Sequence, residues 1–372
     1  MIRPTVARVD LEAVRANFRA ISEFVAASGS SAPKIIAVVK ANAYGHGAVE
    51  VARALEEAGA AMLACADIEE GIVLRRGGVR VPILIFGALS VSDLEGIFTH
   101  GLTPTISTPS AARALQDAAE RHGLVLHCHL KIDTGMNRLG FRHDHLGHTI
   151  PDVAASPHLA IDAVYTHFAT ADNPEHPLFE EQRLRFEAAL TRMPELGVRT
   201  PVRHAANSAA LLRDERVWFD YVRPGLLLYG VVPPPLAAML PLRPALSLHS
   251  RIVAVKGLRV GEGTGYGMKT VVDRPTTVAV VPAGYADGLD LRLAGRGHML
   301  VRGRRAPIVG SVCMDMTMID VTGTDAAPGD EVVILGRQDD EMMDVREMAA
   351  AIGTIPYELL CRVGARIQRV YD

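Results

Sequence analysis

The sequence predicts an α/β chain: a (β/α)8 barrel followed by a mainly antiparallel β domain. Three observations carry this. First, eight strand-like runs alternate with helical ones over about 230 residues, a number and order that fit a closed barrel. A doubly wound open sheet has the same periodicity and is the runner-up. Second, Ile35–Val39 is apolar without alternation and β-branched apart from Ala37, as in strands buried on both faces. Third, beyond the proline-rich stretch Val231–Pro244 the alternation gives way to short strand-like runs set off by Gly, Pro and Asp.

The elements follow in order. Asp10 is placed to cap a helix whose apolar residues, Leu11, Val14, Phe18, Ile21 and Val25, recur in steps of three and four. Strands are expected at 35–39, 62–66, 82–86, 103–107, 124–132, 159–168, 202–206 and 219–223. Helices are expected at 48–58, 68–76, near 91–99, at 109–121 behind a Thr108 cap, near 143–154 and at 179–194. In the second part the strand-like runs are 245–258, 276–282, 298–303, 307–320 and 331–335, with one helix at about 344–352. The expected domains are 11–240 and 241–372, with residues 1–10 joining the second as a strand.

Composition narrows the function classes. The 372 residues are 49% hydrophobic and 22% charged, with a formal charge of −3, which argues against a nucleic-acid or anionic-membrane surface. Cys65, Cys128, Cys313 and Cys361 are widely spaced, without CxxC or zinc spacing, and fit free thiols in a reducing compartment. The start, MIRPTVARVD, lacks an apolar signal core, and no apolar run is long enough to span a membrane, so a cytoplasmic protein is expected. Neither HExxH nor clustered carboxylates indicate a metal, and no GxGxxG follows a strand.

In a barrel of this kind chemistry sits at the carboxyl ends of the strands. The first strand stops at Lys40, with Tyr44 four residues on. The fifth ends in KIDTGMNRLG, with Lys131 and Arg138, and the sixth in THFATAD, with His167 and Asp172. The seventh ends in HAANSA, with His204, Asn207 and Ser208, and the eighth in RPGLLLYG, with Arg223, Gly225 and Tyr229. A lone buried His or Arg is more often structural. Polar groups at five strand ends of one apolar barrel point instead to a shared site. A lysine in a partly dry pocket can form a Schiff base with an aldehyde. Ser208, the backbone N–H groups around Gly225 and Leu226, and the Tyr44 hydroxyl suit a phosphate. His167 suits a stacked ring and Arg223 a ring nitrogen. Together these describe pyridoxal 5′-phosphate.

With these motifs in view, the chain closely resembles the alanine racemases, the barrel-type pyridoxal-phosphate enzymes. AVVKANAYGHG is similar to the family's cofactor-lysine motif. KIDTGMNRLG, THFATAD, HAANSA, RPGLLLYG, GTGYG, GYADG and GSVCMDMTMID reinforce it in order along nearly the whole chain. The resemblance implies that Lys40 carries the cofactor covalently. Tyr44, Ser208, Gly225, Leu226 and Tyr357 would bind its phosphate, with Asn207 also in the cofactor set. Arg223 would face the pyridine nitrogen, and His167 would pack on the ring. Arg138 would meet the cofactor's phenolic oxygen and the substrate carboxylate. Lys131 resembles a lysine that becomes a carbamate in some members; as a plain ammonium it would rely on Asp133. Tyr266 resembles the second catalytic base, and Met314 the residue whose N–H meets the substrate carboxylate. Both would act in the partner subunit's barrel, so a homodimer is implied. Tyr285 is an expected entrance residue.

The activity so implied is interconversion of L- and D-alanine by two bases, Lys40 and Tyr266, for peptidoglycan supply or D-alanine catabolism. One departure stands out: the family commonly has arginine six residues after the GYADG tyrosine, whereas here that place is Leu291 and arginine follows at Arg292. Rival readings are a pyridoxal-phosphate decarboxylase, a racemase of serine or broader range, and a non-catalytic cofactor carrier. Arg223 and GTGYG weigh against the first, and the β domain against the last.

Overall fold

The computed structural model describes residues 3–27, 32–89, 93–199, 201–236 and 239–372. It divides into two compact units. One comprises Val14–Ala43 and Ala48–Leu242; the other comprises Arg243–Asp372 with the residues up to Ala13 and Tyr44–Gly47.

The first unit is a closed parallel barrel. Its strands are Lys34–Val38, Met62–Cys65, Ile83–Ile85, Thr103–Ile106, Leu126–Asp133, Leu159–Tyr165, Val202–Asn207 and Tyr221–Arg223. The first pairs with the second and the eighth, and the fourth with the fifth, so each strand has two parallel neighbours. The first four strands are buried nearly throughout, which explains the apolar runs Ile35–Val38, Met62–Cys65 and Ile83–Ile85 in the first three; the fourth carries the buried Thr105. The fifth is different: His129 and Lys131 are buried within it. A two-residue strand, Phe141–Arg142, lies beside its end.

Two of the helices between the strands start on side-chain caps, that of Thr108 as expected. The Asp67 side chain accepts from the Glu70 N–H, and Thr108 accepts from the Ala111 N–H, each satisfying an otherwise orphaned donor. The helix expected near 91–99 is Glu95–His100; the beginning of the expected span falls on residues outside those described. The fifth strand begins two residues later than its pattern indicated, and the sixth stops at Tyr165 instead of reaching Phe168. The reason for the early stop is a change of hydrogen-bond partner. The Thr166 N–H still reaches the His204 carbonyl on the seventh strand. The His167 carbonyl and the Ala169 N–H bond the Gln182 side chain instead of a neighbouring strand.

The second unit is built on a largely antiparallel sheet of ten strands. Val6–Val9 pairs antiparallel with Leu246–Arg251 and parallel with Gln368–Tyr371. The run 245–258 is two strands, Leu246–Arg251 and Ala254–Leu258, and 307–320 likewise divides into Arg304–Val309 and Thr317–Asp320. A short helix, Pro356–Cys361, carries Tyr357; Pro356 at its first position fixes φ where no N–H is needed. Within this unit the Asp287 carboxylate is fully buried and accepts from Arg3, Arg366 and the Gly284 N–H, so its charge is compensated. Among the described residues, no helix is long and apolar enough to cross a membrane.

Candidate active site

Lys40 begins a turn of unusual handedness. Ala41, Asn42, Ala43 and Tyr44 have φ of 53°, 54°, 53° and 52°, the left-handed helical region. Each such residue costs roughly 1–2 kcal/mol in an L-chain, so neighbours must impose the shape. Glu70 does so from the helix after the second strand. Its carboxylate accepts from the Ala41 N–H at 2.6 Å and the Ala66 N–H at 2.8 Å, joining two strand ends. The Asn42 side chain accepts from the Ala48 N–H, and the Ala43 N–H reaches the Val39 carbonyl. Lys40 is thereby held, half-buried, at the carboxyl end of its strand. Beyond the turn, Gly45 has φ 83°, and a Cβ there would lie 2.1 Å from the Leu360 carbonyl oxygen, so only glycine fits. In the same unit the rings of Tyr44 and Tyr357 lie 6.0 Å apart.

The eighth strand ends in Arg223, 3% exposed. Its guanidinium donates to the Thr166 carbonyl at 2.7 Å, the Ala205 carbonyl at 2.9 Å and His204 Nδ1 at 2.9 Å. His204 Nε2 lies 3.0 Å from His129 Nδ1, and the His204 ring stacks on Tyr165 at 4.6 Å. Because arginine only donates, His204 Nδ1 accepts, and its proton sits on Nε2, directed at His129. Burial pushes His204 well below the ordinary histidine range, helped by Arg223, and pushes His129 down to about 4. Both rings are neutral at physiological pH. Burial likewise lowers Arg223 to about 10, which leaves it protonated.

On the seventh strand's end, Asn207 caps the following helix by accepting from the Ala210 N–H and donates to the Phe168 carbonyl. Next to it the buried Ser208 Oγ accepts from the Gly225 N–H at 2.9 Å, and Leu226 is fully buried. A hydroxyl and the N–H groups of a turn are thus collected between two strand ends, the donor type that holds a phosphate.

The fifth and sixth strands supply Lys131, Arg138 and His167. Lys131 is 5% exposed, with Nζ 5.8 Å from the Tyr165 ring centroid. Burial is the main cause that brings its pKa down to about 8, and the charges of Arg138, Arg223 and Lys40 add to it, while Asp133 opposes. Burial, joined by the charges of Arg223, Lys131, Lys40 and Arg138, holds His167 neutral. The Asp133 carboxylate also folds the Arg138 loop by accepting from the Gly135 and Asn137 N–H groups.

The barrel therefore brings together Lys40, Lys131, Arg138, His167, Asn207, Ser208, Arg223, Gly225 and Leu226 at one end of its strands. A cation excess around a lysine amine, with a hydroxyl and turn N–H groups, fits a phosphorylated aldehyde and a carboxylate substrate. Tyr266, Met314 and Tyr285 belong to the other unit, where they are 77%, 51% and 43% exposed. Arg292, the displaced arginine, is bound by the Asp290 carboxylate, while Leu291 is exposed. Sequence reasoning passed over the roles of His129, Tyr165 and Gln182. The first two had a signal, since both lie on the inward parity of Lys131 and His204 in register.

Comparison with known proteins bears on this geometry. The family profile "Alanine racemase, N-terminal domain" matches residues 9–233, and "Alanine racemase, C-terminal domain" matches 245–371. The chain is 43% identical over 374 residues to an alanine racemase of Symbiobacterium thermophilum, covering 100% of this chain and 97% of that protein. It is 42% identical over 376 residues to one of Carboxydothermus hydrogenoformans, covering all of both. Among solved structures, alanine racemase from a D-cycloserine-producing Streptomyces lavendulae superposes with a TM-score of 0.94 at 37% identity, covering 100% and 98%. The Bartonella henselae alanine racemase, described with covalently bound pyridoxal phosphate, gives 0.89 at 28% identity, covering 99% of each.

Proposed function

Since this chain belongs to the alanine racemase family and is an enzyme of that kind, we propose that it interconverts L- and D-alanine with pyridoxal 5′-phosphate on Lys40 and two bases, Lys40 and the partner subunit's Tyr266. The observation that carries the reading is the lysine at the first strand end, set among Lys131, Arg138 and Arg223, whose charges act on one another. When bound, the cofactor supplies the electron sink that makes the substrate α-proton removable.

The protein's own residues do the rest. Ser208 with the turn at Gly225 and Leu226 holds the phosphate; Tyr44, Tyr357 and Asn207 join this set by family resemblance. Neutral His167 would pack on the ring face, since a cation there would oppose its neighbours. Arg223 would face the ring nitrogen as a donor that keeps its own proton. Arg138 takes the substrate carboxylate as a charge-assisted pair, assisted by the Met314 N–H. Lys131, as a carbamate, would orient Arg138. Lys40 moves the proton on one face of the α-carbon and the Tyr266 hydroxyl on the other.

Tyr266, Met268, Met314 and Met316 are all exposed apolar residues of the β unit, which supports its burial against a second copy in a homodimer. Tyr285 would border the entrance. The division of labour proposed for the chain is a cofactor barrel over about 11–240 and a β domain over 241–372 joined by the N-terminal strand. The cellular role would be cytoplasmic D-alanine supply for peptidoglycan, or D-alanine breakdown.

The test is spectroscopic and polarimetric. Purified protein should carry cofactor absorbance that survives gel filtration and is lost in Lys40→Ala. It should also bring either isomer of alanine to the same racemic end point. Absorbance without loss of optical activity would reject the racemase reading, and absence of bound cofactor would reject the site.

A further inference from the structure

Gln182 is a fully buried glutamine whose side chain bonds two strand-end loops at the barrel mouth, and it belongs to a helix, Leu178–Arg192, that contributes nothing to the proposed chemistry. Burying an amide is costly unless its donors and acceptor are used. Here they are. Oε1 accepts from the Ala169 N–H at 2.9 Å; Nε2 donates to the His167 carbonyl at 3.0 Å and to Thr134 Oγ1 at 3.1 Å. Two of these bonds grip the loop after the sixth strand on either side of Phe168. The third grips the start of the Arg138 loop after the fifth.

The grip is reinforced from both ends. Arg185, three residues on and on the same helix face, donates to the Thr134 carbonyl at 3.0 Å. Thr134 Oγ1 lies 2.7 Å from Thr166 Oγ1, and the Thr166 carbonyl accepts from Arg223. One amide thus ties together the segments bearing Arg138, His167 and Arg223. A packing role would need an apolar side chain of that size; three directed hydrogen bonds to two loops need a primary amide.

We propose that Gln182 is a positioning residue for the racemase reaction, fixing the Arg138 loop and His167 relative to each other without touching cofactor or substrate. The proposal rests on the functional reading above.

The test is Gln182→Glu, nearly isosteric, assayed as holoenzyme beside the wild type from pH 6 to 9. An ionised carboxylate keeps the bond from Ala169 but opposes the His167 carbonyl; the protonated form can donate to it, and burial favours that form. The titratable or charged groups on the bonded elements are Arg185 with its partner Glu181, Asp133, Arg138, His143 and His167. They are common to both enzymes, so ratios at each pH isolate the new group. KM for L-alanine should stay within about twofold of wild type at pH 6 and rise to about tenfold above it at pH 9, with kcat changing less. Gln182→Met should show the higher KM at every pH. In both, amide hydrogen exchange of the holoenzyme should quicken in 134–140 and in 167–172 together. A wild-type pH profile in Gln182→Glu, or faster exchange in neither or only one of the segments, would overturn the proposal. Exchange needs no turnover, so it judges the clamp even if the wild type fails to racemise alanine. Should Gln182→Met not fold, the Glu variant decides.

Discussion

Arg223 donates to His204 Nδ1 at 2.9 Å, and this one contact fixes where the protons sit in the barrel core. The arginine cannot accept, so His204 must, and the chain of neutral rings continues to His129. Both histidines are neutral when folded and take a proton when unfolded below about pH 6.5. The unfolded state then binds more protons, so stability is complete above about pH 6.5 and falls as pH drops toward 4. For His129 alone the loss amounts to about 3 kcal/mol across that window. The urea midpoint should decline accordingly, and His129→Asn, which still offers His204 an acceptor, should decline less. Parallel curves for the two proteins would count against the assignment.

Lys131 should react with carbon dioxide. With its pKa brought down to about 8 by burial and neighbouring cations, much of the amine is unprotonated at pH 8, and that is the nucleophilic form. Labelled bicarbonate should give a carbamate carbon signal in NMR that disappears in Lys131→Ala. An identical signal in both proteins would exclude Lys131 as its source.

The two-base reading separates by substrate handedness. Tyr266→Phe should slow L-alanine turnover by roughly 10²- to 10⁴-fold, the usual worth of a positioned acid or base. In deuterated water it should still exchange the α-proton of D-alanine through Lys40. Loss of exchange from both isomers to the same degree would contradict a division between the faces.

The left-handed turn makes a stability prediction of unusual sign. Ala41→Gly removes a backbone penalty of about 1–2 kcal/mol and adds a chain-entropy cost of about 0.5–1 kcal/mol, leaving a net gain of about 0–1.5 kcal/mol. Ala41→Val should destabilise, because a β-branched residue is a severe outlier at φ 53°. Thermal or urea unfolding of both variants beside the wild type checks the order.

The barrel was legible because its signals are local. Ile35–Val39 reads as a buried strand from its unalternating apolar run and β-branching, and Thr108 and Asp10 cap the helices that follow them. The residues of the rim were legible because strand ends coincide with motif ends. The turn at Ala41–Tyr44 was not: alanine and asparagine carry no mark of left-handedness, which here comes from Glu70 and Asn42. Gln182 was hidden for a related reason. In the sequence it is one polar position of an amphipathic helix, and only the loops that close over it show that it faces inward. The helix Pro356–Cys361 was missed because six residues are too few for a periodic pattern.

The convergence of Lys40, Arg138 and Arg223, joined by Lys131 while its amine is unmodified and opposed by Asp133, has a consequence for the life of the polypeptide in a cell. Mutual repulsion weighs on the folded chain until an anion joins it, and a ligand that binds only the folded form shifts the balance by mass action. Under the proposed reading, chains made while the phosphorylated aldehyde is scarce would spend more time open and meet proteases more often, so that abundance would follow its supply through turnover.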